Sequence, residues 1–171
     1  MNRLLLTAAA LLTVSPALAQ TIVPGTKVLY LKQLDPITDE NNSVVVIVEV
    51  NDTAANTFLR IRCRQGAPDV FLITKNPLMT QEDWEANVFP DLVYRVDAQQ
   101  PKTLATDGVI ADDESVLNEL AFVNDTVLIQ ALTNATSKLV MRVMRNGMSP
   151  LDYTFATKGF AQAMKAVNNC R

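Results

Sequence analysis

Two cysteines, Cys63 and Cys170, stand 107 residues apart, and each lies in a segment whose pattern says which way it points. In Phe58 to Arg64 (FLRIRCR), Leu59, Ile61 and Cys63 alternate with Arg60, Arg62 and Arg64. That is the period of a strand with one apolar and one polar face. In Phe160 to Asn169 (FAQAMKAVNN), Phe160, Ala163, Met164 and Val167 form one helical stripe, and Cys170 extends it three residues beyond Val167. The two patterns together predict a terminal helix laid over a sheet, its end stapled to the Cys63 strand. Two cysteines allow one intramolecular pairing, which closes a loop long enough to contribute about 4.7 kcal/mol by the chain-entropy relation. An intermolecular bridge and two free thiols are the other states open to them.

Whether thiols pair depends on the compartment, and the N-terminus speaks to that. MNRLLLTAAALLTVSPALAQ has a basic start at Arg3, an apolar run from Leu4 to Val14, a breaker at Pro16 and the small-residue pattern Ala17-Leu18-Ala19. This is the plan of a secretory signal with cleavage near Ala19, so residues 1–19 are expected to be removed. The run is too short for a membrane span, which needs about 20 apolar residues. The expected location is therefore periplasmic or secreted, where disulfides persist, with no integral membrane anchor.

Residues 20–171 have the length of a single domain with its own core. Losing Arg3 makes the net charge one unit more negative than the −3 of the whole chain. A mildly acidic chain lacks the excess of cations that nucleic-acid binding requires.

Along the chain, short β-type runs alternate with turn residues. Thr26 to Leu31 (TKVLYL) alternates weakly, and Ser43 to Val50 (SVVVIVEV) is β-branched almost throughout, which predicts a central strand covered on both faces. Gln65 to Asp69 reads as a turn and Val70 to Thr74 as the returning strand of a hairpin. Leu92 to Asp97, Leu139 to Arg145 and Asp152 to Thr157 are further strands, the first two carrying Arg95 and Arg142 at central positions. Thr126 to Ala135 has helical spacing with Asn124 or Asp125 available as a cap, although a strand over Thr126 to Ile129 also fits. Thr80 followed by Asp83 is a helix start. The expected fold is mainly β: one sandwich or partly open barrel of about seven to nine short antiparallel strands, with the C-terminal helix packed on the sheet.

The absence of histidine removes Ser-His-Asp and Cys-His catalysis in their usual forms and zinc sites built on imidazole. No CxxC, GxGxxG or phosphate-binding loop is present. No cofactor and no metal are expected. Two acidic clusters remain, Glu82, Asp83 and Glu85 in TQEDWEAN and Asp112, Asp113 and Glu114 in IADDES. A carboxyl from each would give the acid pair of a hydrolase acting on envelope polysaccharide, which is the alternative to a non-catalytic role. Acidic loop residues without EF-hand spacing are ordinarily just solvated. Trp84 and Phe89 could form a small patch, though a lone tryptophan ordinarily packs. Arg60, Arg62, Arg95 and Arg142 are the candidates for a polar binding face, since guanidinium forks match carboxylate and phosphate; the competing reading is an acid-paired outer surface.

In order along the chain stand Asp35-Pro36-Ile37-Thr38-Asp39, Leu59-Arg60-Ile61-Arg62-Cys63, Val93-Tyr94-Arg95-Val96-Asp97, Leu128 to Ala135, Leu139-Val140-Met141-Arg142-Val143, and Phe155 to Cys170. This succession resembles the small exported type VI secretion-associated minor proteins, the VasI-like family. Where that family has a Trp before a Ser-x-Asp element, this chain reads Lys102 to Gly108 (KTLATDG). The resemblance implies an all-β periplasmic domain, its two cysteines bridged, in an accessory role. The implied partner is an envelope or secretion-system protein or an anionic envelope component. Similar exported β-domains resemble the invasion-associated locus B group.

Overall fold

The structure, a computed structural model, describes residues 20–111 and 114–171. Residues 1–19, where the sequence predicts an export signal, and the pair Asp112 and Asp113 lie outside the described residues.

Strands hold 42% of the described residues and helices 17%, which makes the fold mainly β. The first strands are β1 (Thr21–Ile22), β2 (Val28–Leu31), β3 (Val44–Val48), β4 (Phe58–Arg64) and β5 (Ala67–Ile73). A short helix α1 (Gln81–Glu85) precedes β6 (Asp91–Val96), β7 (Lys102–Leu104), β8 (Thr106–Ala111) and β9 (Glu114–Phe122). Helix α2 (Asp125–Asn134), β10 (Lys138–Met144), β11 (Leu151–Ala156) and α3 (Phe160–Ala166) complete the chain, with a 3-10 turn at Asn168–Cys170. All pairings are antiparallel, in a seven-stranded sheet ordered β1-β2-β3-β4-β5-β9-β8 and a four-stranded sheet ordered β11-β10-β6-β7. Neither sheet closes into a barrel.

The inward faces of both sheets and the buried stripes of α2 and α3 share one apolar core, with Leu59, Ile61, Leu72, Leu92, Leu139 and Phe155 inaccessible. The sheets meet at one corner, where Glu49 bridges to Phe155 and Val50 N–H donates to Thr154 O at 2.9 Å. Glu49 is buried there, and its carboxylate accepts from the N–H groups of Asn51 (2.6 Å) and Thr154 (3.2 Å). These bonds supply the partners that a buried carboxylate needs.

The β4–β5 hairpin is tighter than its sequence suggests. Only Gln65 and Gly66 form the turn, both left-handed at φ 52° and 77°, and β5 begins at Ala67 with Pro68 inside it. Proline is tolerated because β9 pairs with β5 only from Phe71 to Ile73, leaving the Pro68 end of the strand without a neighbour on that side. One free donor there, Val70 N–H, is taken by the carboxylate of Asp125 at 2.9 Å, which seats the first turn of α2. Residues 126–129 are therefore helical, with Asn124 as the cap through Val127 N–H.

The terminal helix is capped by Gly159, whose φ of 94° favours glycine and where an added Cβ would stand a tight 3.0 Å from the side chains of Val23 and Thr26. It ends at Ala166, earlier than the apolar stripe implies. Asn168, Asn169 and Cys170 are all left-handed, a conformation asparagine enters readily. The resulting turn is held by Asn41, whose amide donates to Val167 O at 2.9 Å and Arg171 O at 3.2 Å. It carries the fully buried Cys170 onto Cys63, where the disulfide forms with a Cα–Cα distance of 4.8 Å. The staple inferred from the two patterns is present.

Candidate functional site

The strand that carries Cys63 inward carries its arginines outward, onto the free face of the seven-stranded sheet. Arg62 pairs with Asp69, its cross-strand neighbour, at 2.9 Å, and Arg60 pairs with Glu119 of β9. Both guanidiniums lie over the ring of Phe71, at 4.8 and 5.0 Å from its centroid. Burial pushes the Glu119 carboxyl above its ordinary value, outweighing the opposing pull of Arg60 and Arg62. The two arginines are thus already neutralised and stacked, while Arg64, beyond the pairs, is exposed.

Arg95 and Arg142 lie elsewhere, on the outward face of the four-stranded sheet. Arg142 forms a two-pronged bond with Asp152, at 2.7 Å through both Nε and Nη2, and Arg95 Nε donates to Asp97 O at 3.3 Å. The four candidate arginines therefore divide between two sheets and do not converge on one site.

What does converge beside Arg60 and Arg62 is aliphatic. The register places Ile22, Leu29, Val46 and Arg60 in one outward row, Leu31, Val44 and Arg62 in a second, and Val48, Phe58 and Ile73 in a third. β3 is β-branched on both faces, but only its Val45 and Ile47 side is covered by the core; Val44, Val46 and Val48 are half-exposed. The expectation that this strand is covered on both faces is corrected. Among the described residues α2 and α3 send their buried side chains, and α1 its Trp84, to the inner core rather than to the outer rows. Strand spacings of about 4.8 Å and rises of about 3.3 Å per residue give the patch an extent of roughly 400 Å². Within that footprint Ile22 is exposed and the other aliphatic side chains are partly exposed, so they form a contiguous apolar surface of the kind that marks interaction sites.

The acidic residues are used locally. Asp83 closes a capping box with Thr80 and accepts from Asn146 Nδ2 at 2.8 Å, and these bonds, the one from Asn146 foremost, hold its carboxyl below the ordinary range. An acid held ionised in this way is unsuited to donating a proton at neutral pH. Asp112 and Asp113, its potential partners, lie outside the described residues. Trp84 and Phe89 meet edge to face at 5.5 Å, and the Trp84 ring occupies the space beside Gly108, so the pair packs α1 against the sheet.

Next to α1 a cleft of about 430 Å³ is lined by Met79, Met144, Met148 and Phe89. Arg145 spans it, donating to Ser149 O at 2.9 Å through Nε and to Pro77 O at 2.9 Å through Nη1. Its donors hold the β10–β11 connection in shape.

These features define a two-sheet β protein with a disulfide-stapled C-terminal helix and an aliphatic sheet face left uncovered. Known protein families, curated proteins and solved structures offer no match to the chain. The aliphatic face was partly visible in sequence: the β-branched run marked a strand with two apolar sides, but the identity of its neighbours is a property of the fold.

Proposed function

We propose that the protein is an exported envelope accessory protein that binds a protein partner through the outer face of its seven-stranded sheet. The observation carrying this reading is the aliphatic patch of β1 to β5 bordered by the Arg60–Glu119 and Arg62–Asp69 pairs. An apolar centre with a rim of both charges is the anatomy of a protein interface. An anionic lipid or glycan surface would call for unneutralised cations at that rim. The export signal and buried disulfide support a periplasmic setting. The resemblance to the VasI-like family supports a partner in secretion or envelope machinery, and the absence of histidine supports binding over catalysis.

Site-specific photo-crosslinking in the exporting cell tests the reading. A crosslinker at Val46 is expected to give a protein adduct, identified by mass spectrometry, that is missing when it stands at Thr103 on the other sheet. Adducts only at twice the mass of the chain would replace the partner with a second copy. Labelled lipid, or no adduct, would overturn the reading. N-terminal sequencing of the exported protein should find the chain starting at Gln20.

A further inference from the structure

The Tyr94 side chain is only 2% exposed, and among the described residues its hydroxyl bonds to no protein atom, yet the oxygen itself is not sealed inside the core and opens onto a cavity. A buried tyrosine ordinarily finds a partner for that group. The side chain points inward from β6, between Met141 of β10 and Lys102 of the edge strand β7. It lines a cavity of about 330 Å³ between α2 and the β6–β7 pair. Burial pushes the Tyr94 pKa above its ordinary value, so the hydroxyl keeps its proton and remains a donor as well as an acceptor.

The rest of the polar lining is solvent-exposed at the mouth of the cavity and has no protein partner among the described residues. Gln99 and Gln100 come from the β6–β7 connection, Gln130 and Asn134 from α2, and none of these amides makes a side-chain hydrogen bond with a described residue. Lys102 contributes an ammonium without an acid partner, and no carboxylate is in the lining. Asp97, the acid of the same connection, spends its oxygens on Thr136, Ser137 and Lys138. Val96 and Val127 give a small apolar wall.

We propose that this cavity binds a single anionic sugar residue, free or at the end of an envelope polysaccharide. Four amides and a phenol, each able to donate and accept, suit a ring of hydroxyls. The lysine suits one carboxylate, and the narrow aliphatic wall suits a sugar's C–H face. The volume lies at the lower end of small-molecule pockets, which fits one sugar ring and excludes an extended ligand lying wholly inside. A nucleotide would call for an exposed aromatic platform, and the only ring here presents its hydroxyl. The site is on a different face from the aliphatic patch, and neither proposal needs the other.

The test is titration of the exported, oxidised protein with glucuronate, glucose and an oligogalacturonide, followed by amide chemical shifts and by calorimetry. Glucuronate is expected to shift the signals of Tyr94, Lys102 and Gln130 at millimolar concentration, and glucose to do so more weakly. Tighter binding of the oligogalacturonide would assign the polysaccharide end as the source, and equal or weaker binding the free sugar. Tyr94→Phe should weaken binding of glucuronate about tenfold, the worth of one hydrogen bond, with no drop in Tm. Lys102→Gln should bring glucuronate down to the affinity of glucose. Absence of shifts with any of the three would overturn the proposal. A several-degree drop in Tm for Tyr94→Phe would overturn it too, by showing that the hydroxyl serves the fold.

Discussion

Gly108 and Trp84 should be coupled more strongly than any other glycine and side chain in the molecule. A Cβ built on Gly108 would stand 1.6 Å from Trp84 Cζ3 and 2.4 Å from Cε3 and Cη2, where carbon atoms need about 3.5 Å. The ring must therefore retreat by roughly 2 Å. Trp84 belongs to a five-residue helix pinned by its capping box at one end and by Phe89 on its flank. Gly108→Ala should accordingly cost about 1–3 kcal/mol, the usual price of overpacking. Trp84→Ala removes a half-buried ring and should cost about 2–3 kcal/mol, below the range for a fully buried tryptophan. With the ring gone the clash is gone, and Gly108→Ala should then stabilise by about 0.4–1 kcal/mol through the unfolded chain, because Gly108 does not need a positive φ. The coupling energy of the cycle is thus about 1.5–4 kcal/mol. Urea unfolding followed by far-ultraviolet circular dichroism suits all four proteins, since Trp84 is the sole tryptophan and fluorescence would vanish with it. Equal destabilisation by Gly108→Ala in both backgrounds would refute the reasoning. It would assign the need for glycine to the register shift between Gly108 and Val109.

Two further outcomes follow from the closing turn and from the loop before β10. Replacing Cys63 and Cys170 by Ala should lower the unfolding free energy in urea by about 3–5 kcal/mol, and a loss under about 1 kcal/mol would contradict the long-loop argument. Asp97 accepts four bonds, from the backbone N–H groups of Thr136, Ser137 and Lys138 and from the Thr136 hydroxyl, and these donors, the Thr136 N–H first, lower its pKa to about 2. A depressed carboxylate stabilises above its unfolded pKa and loses that contribution as pH falls through its folded pKa. The Tm advantage of wild type over Asp97→Asn should therefore be full above about pH 4 and shrink toward pH 2; an advantage independent of pH would exclude the charged form as its source.

The sequence by itself determined the local elements and the orientation of single strands. Alternation in Phe58–Arg64 assigned Leu59, Ile61 and Cys63 to the core because side chains on a strand have a period of two whatever its neighbours are. The helix spacing of Phe160 to Val167 similarly located Cys170 on the buried side, and two cysteines left one pairing within the chain. Less regular segments were not legible: β7, β8 and much of β9 are polar or glycine-containing and take their extended form from pairing.

Tertiary structure alone decided which chemistry meets which. In sequence Arg60 and Arg62 fit a binding row or an acid-paired outer face equally in pattern, and Asp69 and Glu119, arriving from two other strands, decide for the pairs; Arg95 and Arg142 share the pattern but lie on the other sheet. Val44, Val46 and Val48 read as a doubly covered strand, yet only one face receives a layer. Tyr94 sits in an ordinary alternating run, and the cavity before its hydroxyl exists only because α2, 31 or more residues later, supplies its other wall. Periodicity fixes where a side chain points; what waits there is set by contacts between residues far apart in the chain, which carry no local signature.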